Sequence, residues 1–204
     1  MFGTKVLEER KSKYNGNLRV LKTWGMGTYI QANGLTQSGG IVTTIWRETL
    51  SQIRNMITLR VTKLEIRKVL ILGLGGGTVA KLVRKNWPEA KITGVDIDPV
   101  MIELGKKYLD LRAEKIYIQD ADKPVPGKFD LVTVDLYNGD NFPKKFESVA
   151  FLNRFSKNRL VVFNRLYYKT KKIEAEEFGK KLQKYFSKVE YYYPTANLMF
   201  FCYN

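Results

Sequence analysis

The chain has no histidine and a single cysteine in 204 residues. Histidine triads and histidine metal sites are therefore excluded, and Cys202 by itself can form neither an internal disulfide nor a cysteine metal cluster. Proton transfer is left to Asp, Glu, Lys and Tyr. Cys202 stands in an apolar run, residues 198–203, and reads as core filler. No apolar run approaches the ~20 residues of a membrane span, and the opening Met-Phe-Gly-Thr-Lys-Val-Leu-Glu-Glu-Arg lacks a signal-peptide core. The expectation is a cytoplasmic protein with no membrane partner. Internal repeats, low-complexity segments and Pro/Ser-rich linkers are also missing. A hydrophobic content of 44% nevertheless supports an ordered globule, either one core or a core with a small appendage.

Acidic charge is scarce overall: 20 Asp+Glu face 35 Lys+Arg, a formal net charge of +15. The imbalance is confined to the ends. Residues 1–70 carry 12 basic against 4 acidic side chains, residues 71–150 carry 12 against 12, and residues 151–204 carry 11 against 4. Basic flanks can attract a polyanion. Without an Arg/aromatic nucleic-acid module they read as a solvated Lys-rich surface, including Lys180, Lys181 and Lys184, so a nucleic-acid partner is not favoured.

The most informative stretch is residues 69–78, Val-Leu-Ile-Leu-Gly-Leu-Gly-Gly-Gly-Thr, an apolar run that breaks into glycines. The next apolar run ends in Asp96 and Asp98. That order predicts strand, glycine turn, helix, strand, acid. Glycines let backbone approach a ligand where a Cβ would collide, and a carboxylate ~20 residues on suits a ribose diol. Glycine turns also join strands to helices for packing alone, so the pattern needs its surroundings. From Lys68 onward strands at 68–73, 91–96, 115–119, 129–135 and 159–163 alternate with helices near 78–86, 99–110, 144–154 and 172–186. This predicts an α/β fold, a Rossmann-like, doubly wound, mostly parallel sheet. Residues 188–193 and 197–203 predict a closing antiparallel C-terminal hairpin at the sheet edge. Upstream, residues 18–23 and 28–32 read as a β-hairpin, and Trp46, Leu50, Ile53 and Ile57 share one face of a helix starting near Thr44. The division expected is residues 1–60 as a hairpin-and-helix appendage and 61–204 as the nucleoside-binding domain.

Right-handed crossovers bring the strand ends to one edge. Gly73, Gly75, Gly76 and Gly77 follow the first strand, Asp96 ends the second, Asp120 and Ala121 follow the third, and Asp135 ends the fourth. Asp96 is expected to accept from ribose hydroxyls and Asp120 from an adenine amino group, with Asp135 where a reacting group would lie. Asp98 is read as the cap of the helix at Pro99, and Asp130 as ordering the entry to the fourth strand. A nicotinamide dehydrogenase is disfavoured, because Thr78 stands where its glycine fingerprint wants Gly or Ala.

These motifs, in this order, resemble the spermidine synthase-like proteins, the polyamine aminopropyltransferases related to S-adenosylmethionine-dependent methyltransferases. The resemblance runs from about Leu18 to Asn164 and includes the glycine motif at 69–77, Gly-Val-Asp-Ile-Asp-Pro at 94–99, Gln-Asp-Ala at 119–121 and the strand Phe-Asp-Leu-Val-Thr-Val-Asp at 129–135. Ile71, where many methyltransferases place an acid, favours the aminopropyltransferase side. Gln37 and Trp46-Arg47-Glu48 look like the family's glutamine and its Tyr-x-Glu element. The resemblance implies S-adenosylmethionine or its decarboxylated form as donor substrate, no metal, a small-molecule amine acceptor and a homodimer. It implies Asp135 as the catalytic aspartate, Gly73, Gly75, Gly76, Gly77, Asp96, Asp120, Ala121 and Gln37 as the donor site, and Trp46, Arg47, Tyr137 and Asn138 as the acceptor site.

The departures fall on the amine half. Gly76 replaces an aspartate of the glycine motif, Val42-Thr43 an acidic pair, Trp46-Arg47 a Tyr-Gln or Tyr-His, and Asn138 a second aspartate. Loss of these carboxylates should weaken binding of a dication, and an inward-facing Arg47 would repel one. The readings left open are aminopropyl transfer, methyl transfer to another acceptor, and a non-catalytic nucleoside-binding relative that retains only the fold.

Overall fold

The computed structural model describes residues 3–59 and 65–203. Its main sheet has seven strands: β5 (Lys68–Leu72), β6 (Lys91–Asp96), β7 (Lys115–Ile118), β8 (Leu131–Val134), β9 (Leu160–Leu166), β10 (Lys188–Tyr192) and β11 (Asn197–Tyr203). The spatial order is β10-β11-β9-β8-β5-β6-β7. The inner strands read as continuous apolar runs because both faces are covered. On β5, Val69 and Ile71 face one layer while Leu70 and Leu72 face the other.

On the first face lie α1 (Gly40–Leu59) and α2 (Thr78–Asn86). Trp46, Leu50 and Ile53 of α1 pack with Val79 and Val83 of α2, as the helical spacing of those side chains requires. On the opposite face lie α4 (Val149–Phe155) and α5 (Lys171–Leu182). This layer is aromatic, with ring centroids of Phe163 and Phe178 5.4 Å apart and of Phe178 and Phe200 5.7 Å apart. Cys202 is buried there, as expected for core filler.

The expected hairpin upstream is part of a larger element. Four antiparallel strands, β1 (Lys5–Ser12), β2 (Gly16–Thr23), β3 (Gly27–Ala32) and β4 (Leu35–Gly39), form a second sheet. The two unanticipated strands lack an apolar alternation: β1 is a charged edge strand, and β4 is short and polar. Their pairing comes from backbone hydrogen bonds to β2 and β3. Leu18, Val20, Ile30 and Ala32 of this sheet pack on Met101 and Leu104 of α3 (Pro99–Tyr108). Helix α1 begins at Gly40 rather than Thr44.

Two other helices differ from expectation. The helix expected over 144–154 splits into a 3-10 turn at Lys144–Glu147 and α4, because the Ser148 side chain accepts from the Phe151 amide and starts a new helix. Helix α5 stops at Leu182. The closing antiparallel hairpin stands at the sheet edge as expected, with β11 between β9 and the edge strand β10.

Asp98 caps α3 as expected, accepting from the amides of Val100 and Met101. It also accepts from Ser12 Oγ at 2.5 Å and Asn15 Nδ2 at 2.6 Å, which ties the β1–β2 turn to the end of β6. Asp130 orders a different strand from the one expected. Its carboxylate accepts from the amides of Arg67 and Lys68, at 2.9 and 2.8 Å, at the entry to β5. Asp98→Ala removes the helix cap and strips a buried acceptor from Ser12 and Asn15. We expect a loss of about 2–4 kcal/mol, seen as a Tm lower by roughly 5–12 °C in thermal melts.

Candidate functional site

The sheet order reverses at β5: the chain runs outward through β6 and β7, then crosses back to lay β8 on the other side of β5. Strand ends diverge at such a switch point and leave a crevice. Here it is a cleft of about 650 Å³, roofed by residues 34–46 and floored by the ends of β5, β6, β7, β8 and β9.

Gly73 is the hinge of this arrangement. Its φ is +83°, and a Cβ there would stand 2.0 Å from the carbonyl oxygen of Asp135. Only glycine lets the turn after β5 lie this close to the end of β8. The amides of Gly73 and Leu74 donate to Val95 O at 3.0 and 2.9 Å, fixing the turn against β6. The Gly75 amide then donates to Asp96 Oδ2 at 2.6 Å, and the Asp98 amide to Oδ1 at 2.9 Å. Each oxygen keeps a lone pair for a further donor. Desolvation pushes the Asp96 pKa up to about 6, against these two amides, which favour the ionised form. The fold thus favours protonated Asp96. That contribution to stability is complete below the ordinary Asp value of about 3.9 and is lost as pH rises through about 6.

Beyond the end of β7, Asp120 and Ala121 line the cleft. The Asp120 carboxylate is paired with the Lys145 ammonium, which also lines the cleft, and accepts from the Asp122 amide at 2.9 Å. Desolvation acts upward on Asp120, but Lys145 and that amide outweigh it and hold its pKa below the usual range. Gln119 beside it has a buried Nε2 with no partner among the described residues. A buried, unused N–H donor, a glycine turn open to close approach and a carboxylate with spare lone pairs suit a nucleoside.

Asp135 marks the other half. Its Oδ2 accepts from Trp46 Nε1 at 2.8 Å and its Oδ1 from Asn164 Nδ2 at 2.9 Å. Asn164 is in turn oriented by Asn197 Nδ2, which donates to Asn164 Oδ1 at 2.7 Å. Desolvation raises the Asp135 pKa, with Trp46 and Asn164 opposing it, and no cation is among its partners. Such a carboxylate is a better proton acceptor than one in water. Tyr137 accepts from the Leu166 amide at 2.7 Å, which docks the following loop onto β9, and desolvation raises its pKa well above the ordinary value.

Of the residues singled out from sequence, Gly73, Gly75, Asp96, Asp120, Ala121, Gln37, Trp46, Asp135, Tyr137 and Asn138 line this one cleft. Gly76 and Gly77 sit behind it. The Gly76 amide donates to Ser38 Oγ at 2.7 Å, and Gly77 precedes α2 with φ +92°. Arg47 is exposed and outside the lining, so it does not oppose a cation in the cleft. Reading the sequence missed Asn164, Asn197, Tyr168, Lys145 and Asp140. Asn164 carried one signal, a polar residue closing the apolar run 160–163. Of the others, Asn197 begins β11, Lys145 lies in the 3-10 turn, Tyr168 follows β9 and Asp140 lies in the turn after β8.

A methyltransferase domain model matches residues 69–151, the span from β5 through the start of α4. The polyamine aminopropyltransferase of Sulfurisphaera tokodaii is 34% identical over 145 residues, covering 65% of this chain and 46% of that one. The solved structure of a probable spermidine synthase from Corynebacterium glutamicum superposes with a TM-score of 0.77 at 18% identity, covering 100% of this chain and 80% of that one. The chain has the methyltransferase fold and is similar to the spermidine synthase-like proteins. The spermidine synthase-like match is not the only kind. An eEF1A lysine and N-terminal methyltransferase homolog of Drosophila melanogaster is 39% identical over 59 residues, 28% of this chain and 9% of that one. The chain spans less than half the length of these curated relatives.

Trp46→Phe removes one of the two donors that favour ionised Asp135 while keeping an aromatic ring in α1. Carboxyl ¹³C titration should show the Asp135 midpoint moving upward from its wild-type value, and an unmoved midpoint would contradict the Trp46 contact.

Proposed function

We propose that the protein is an alkyl transferase that uses an S-adenosyl sulfonium donor and a cationic amine acceptor. The observation that carries this reading is the environment of Asp135. It is a desolvated carboxylate held by two neutral donors, in the same cleft as the glycine turn and Asp96. An ammonium has no lone pair with which to attack, so a proton must leave before transfer. Asp135 takes that proton, and Asn164 and Trp46 keep its carboxylate oriented while it does so.

Asp96 and the turn from Gly73 to Gly75 hold the ribose end of the donor, with Gln119, Asp120 and Ala121 at the base. The sulfonium supplies the electrophilic carbon and leaves as a neutral thioether. The chain's main contribution is alignment of the amine behind that carbon and exclusion of water. The apolar flank of Ile41, Val42, Ile45 and Leu166 supports the latter.

The charge of the lining supports a cationic acceptor over a nucleic acid. Among the described residues it holds four aspartates, Asp96, Asp120, Asp135 and Asp140, against one lysine, Lys145, a formal −3 in a chain of net +15. A local negative field concentrates cations and repels phosphates. The likeness to polyamine aminopropyltransferases favours an aminopropyl group as the one transferred, in polyamine synthesis.

One observation favours methyl transfer from intact S-adenosylmethionine instead. At Gly76, where the resemblance implies an aspartate for the donor's ammonium, a Cβ would stand 2.8 Å from Leu109 Cδ1 and 3.0 Å from Ile30 Cδ1 and Ser38 Cβ. A side chain at this position would require Leu109 and Ile30 to give way, and a zwitterionic tail would need the missing carboxylate less.

Calorimetric titration with S-adenosylmethionine, its decarboxylated form and methylthioadenosine separates these readings. Tighter binding of the decarboxylated form supports aminopropyl transfer and tighter binding of the intact form supports methyl transfer. No binding of any of the three removes the transferase reading. Because ionised Asp96 is the form that accepts ribose hydroxyls, affinity should fall as pH drops through about 6, by up to about tenfold one unit below. Asp135→Asn should lower kcat by roughly 10²–10⁴-fold and leave donor affinity unchanged. Equal loss of both would contradict the proton-acceptor role.

A further inference from the structure

The strand order puts the cleft's carboxylates on two sides of β5. Asp96 ends β6 and Asp120 follows β7 on one side, and Asp135 follows β8 on the other. Beyond Asp135 the walls turn apolar. Trp46, which donates to Asp135, has Val42 one turn earlier on the same face of α1, and Ile45 and Ile41 form the neighbouring row at the same spacing. These three line the cleft, and they pass from buried Ile45 through half-buried Val42 to Ile41, which is 44% exposed. The stripe therefore continues past the core into the cleft. Asn164, the other partner of Asp135, has Leu166 two residues on and so on the same face of β9. Leu166 and Tyr168 are half-buried and line the cleft opposite no charge of their own. The Leu166 backbone is fixed, since its amide donates to the Tyr137 hydroxyl at 2.7 Å.

The other carboxylate of this half, Asp140, is exposed on the turn after β8, so an ion pair there is screened by water and contributes little. Removing an alkyl chain from water contributes about fourfold in affinity per buried methylene. A second ammonium laid against Val42, Ile45 and Leu166 would instead lose its hydration without gaining a partner. We infer that the acceptor is a primary monoamine with an apolar tail, whose ammonium meets Asp135 and whose alkyl or aryl tail lies between the α1 stripe and Leu166 and Tyr168. This rests on the transfer reading above and names the class of amine which that reading leaves open. In the transfer, Asp135 takes a proton from the ammonium, the freed nitrogen lone pair forms the new N–C bond, and the C–S bond of the donor breaks with its electron pair to sulfur. The products are a secondary ammonium and a neutral thioether.

The test is calorimetric titration of n-pentylamine and 1,4-diaminobutane, each with and without saturating methylthioadenosine. The two amines have the same length and differ by a methyl group in place of the second ammonium. Wild type should bind n-pentylamine about tenfold more tightly than the diamine, and n-heptylamine about tenfold more tightly again. Val42→Asp places a carboxylate in the stripe within the first turn of α1, where negative charge is favoured and none now stands. It should reverse the order of the two amines, tightening the diamine and weakening n-pentylamine. Val42→Asn, neutral and of similar size, should weaken n-pentylamine with no gain for the diamine. Thermal melts identify a variant that fails to fold, and the wild-type comparison then decides alone. Equal or tighter binding of the diamine by wild type, no gain from the longer chain, or binding of neither amine overturns the inference, as does a folded Val42→Asp protein that keeps the wild-type order. Failure of methylthioadenosine to bind wild type strikes instead at the transfer reading, and the titrations without it still rank the amines.

Discussion

The close approach of Gly73 to Asp135 is the constraint on which the rest of the site depends. With no side chain between them, the turn after β5 and the end of β8 meet where a Cβ would lie 2.0 Å from a carbonyl oxygen. That contact brings the glycine turn, Asp96 and the desolvated Asp135 into one cleft. It also sets the direction of the roof. Ser38 accepts from the Gly76 amide, and Thr78 Oγ1 accepts from the Gly39 amide at 2.7 Å, so β4 is pinned to the same turn and α1 leaves it carrying Trp46 toward Asp135. Two sheets with separate hydrogen-bonding patterns thus share one functional edge.

The electrostatics of the molecule run in opposite directions at two scales. Lysines and arginines dominate the surface, and the chain as a whole is strongly basic. Inside the cleft the balance reverses, with aspartates contributed by β6, the loop after β7, the end of β8 and the turn beyond it. Desolvation governs Asp96 and Asp135, which lie deep, whereas at Asp120, nearer the surface, Lys145 and the Asp122 amide outweigh it. Carboxylates of the same type therefore take different proton affinities in one cleft. The outer basic charge suits solubility and long-range encounter with anions, and the inner acidic charge suits a small cation.

Much of the main domain was legible because its signals are local. Buried parallel strands need continuous apolar runs, the helices between them need a 3.6-residue period, and a turn that brings backbone to backbone needs glycine. Residues 68–135 satisfy all three, and Asp98 announced its capping role by standing before Pro99. The N-terminal sheet was only half legible. β2 and β3 bury Leu18, Val20 and Ile30, while β1 is a charged edge and β4 is short and polar, so neither shows the alternation of a half-buried strand. Asn164, Asn197 and Asp140 escaped notice for another reason: each is an ordinary polar residue whose role comes from what the fold sets beside it.

The sequence by itself determined the order of strands and helices, the glycine turn, the acids at the strand ends and the absence of histidine and thiol chemistry. It did so because hydrophobic period and turn chemistry act between near neighbours. Tertiary structure alone decided that Arg47 faces solvent, that Trp46 and Asn164 share Asp135, that Leu109 and Ile30 crowd Gly76, and that Asp140 lines the cleft. These depend on contacts between segments up to 89 residues apart, as in the Trp46–Asp135 pair. Such contacts form when a sheet reverses direction at β5 and folds its roof back over the strand ends, and a linear pattern holds no record of which side chains then meet.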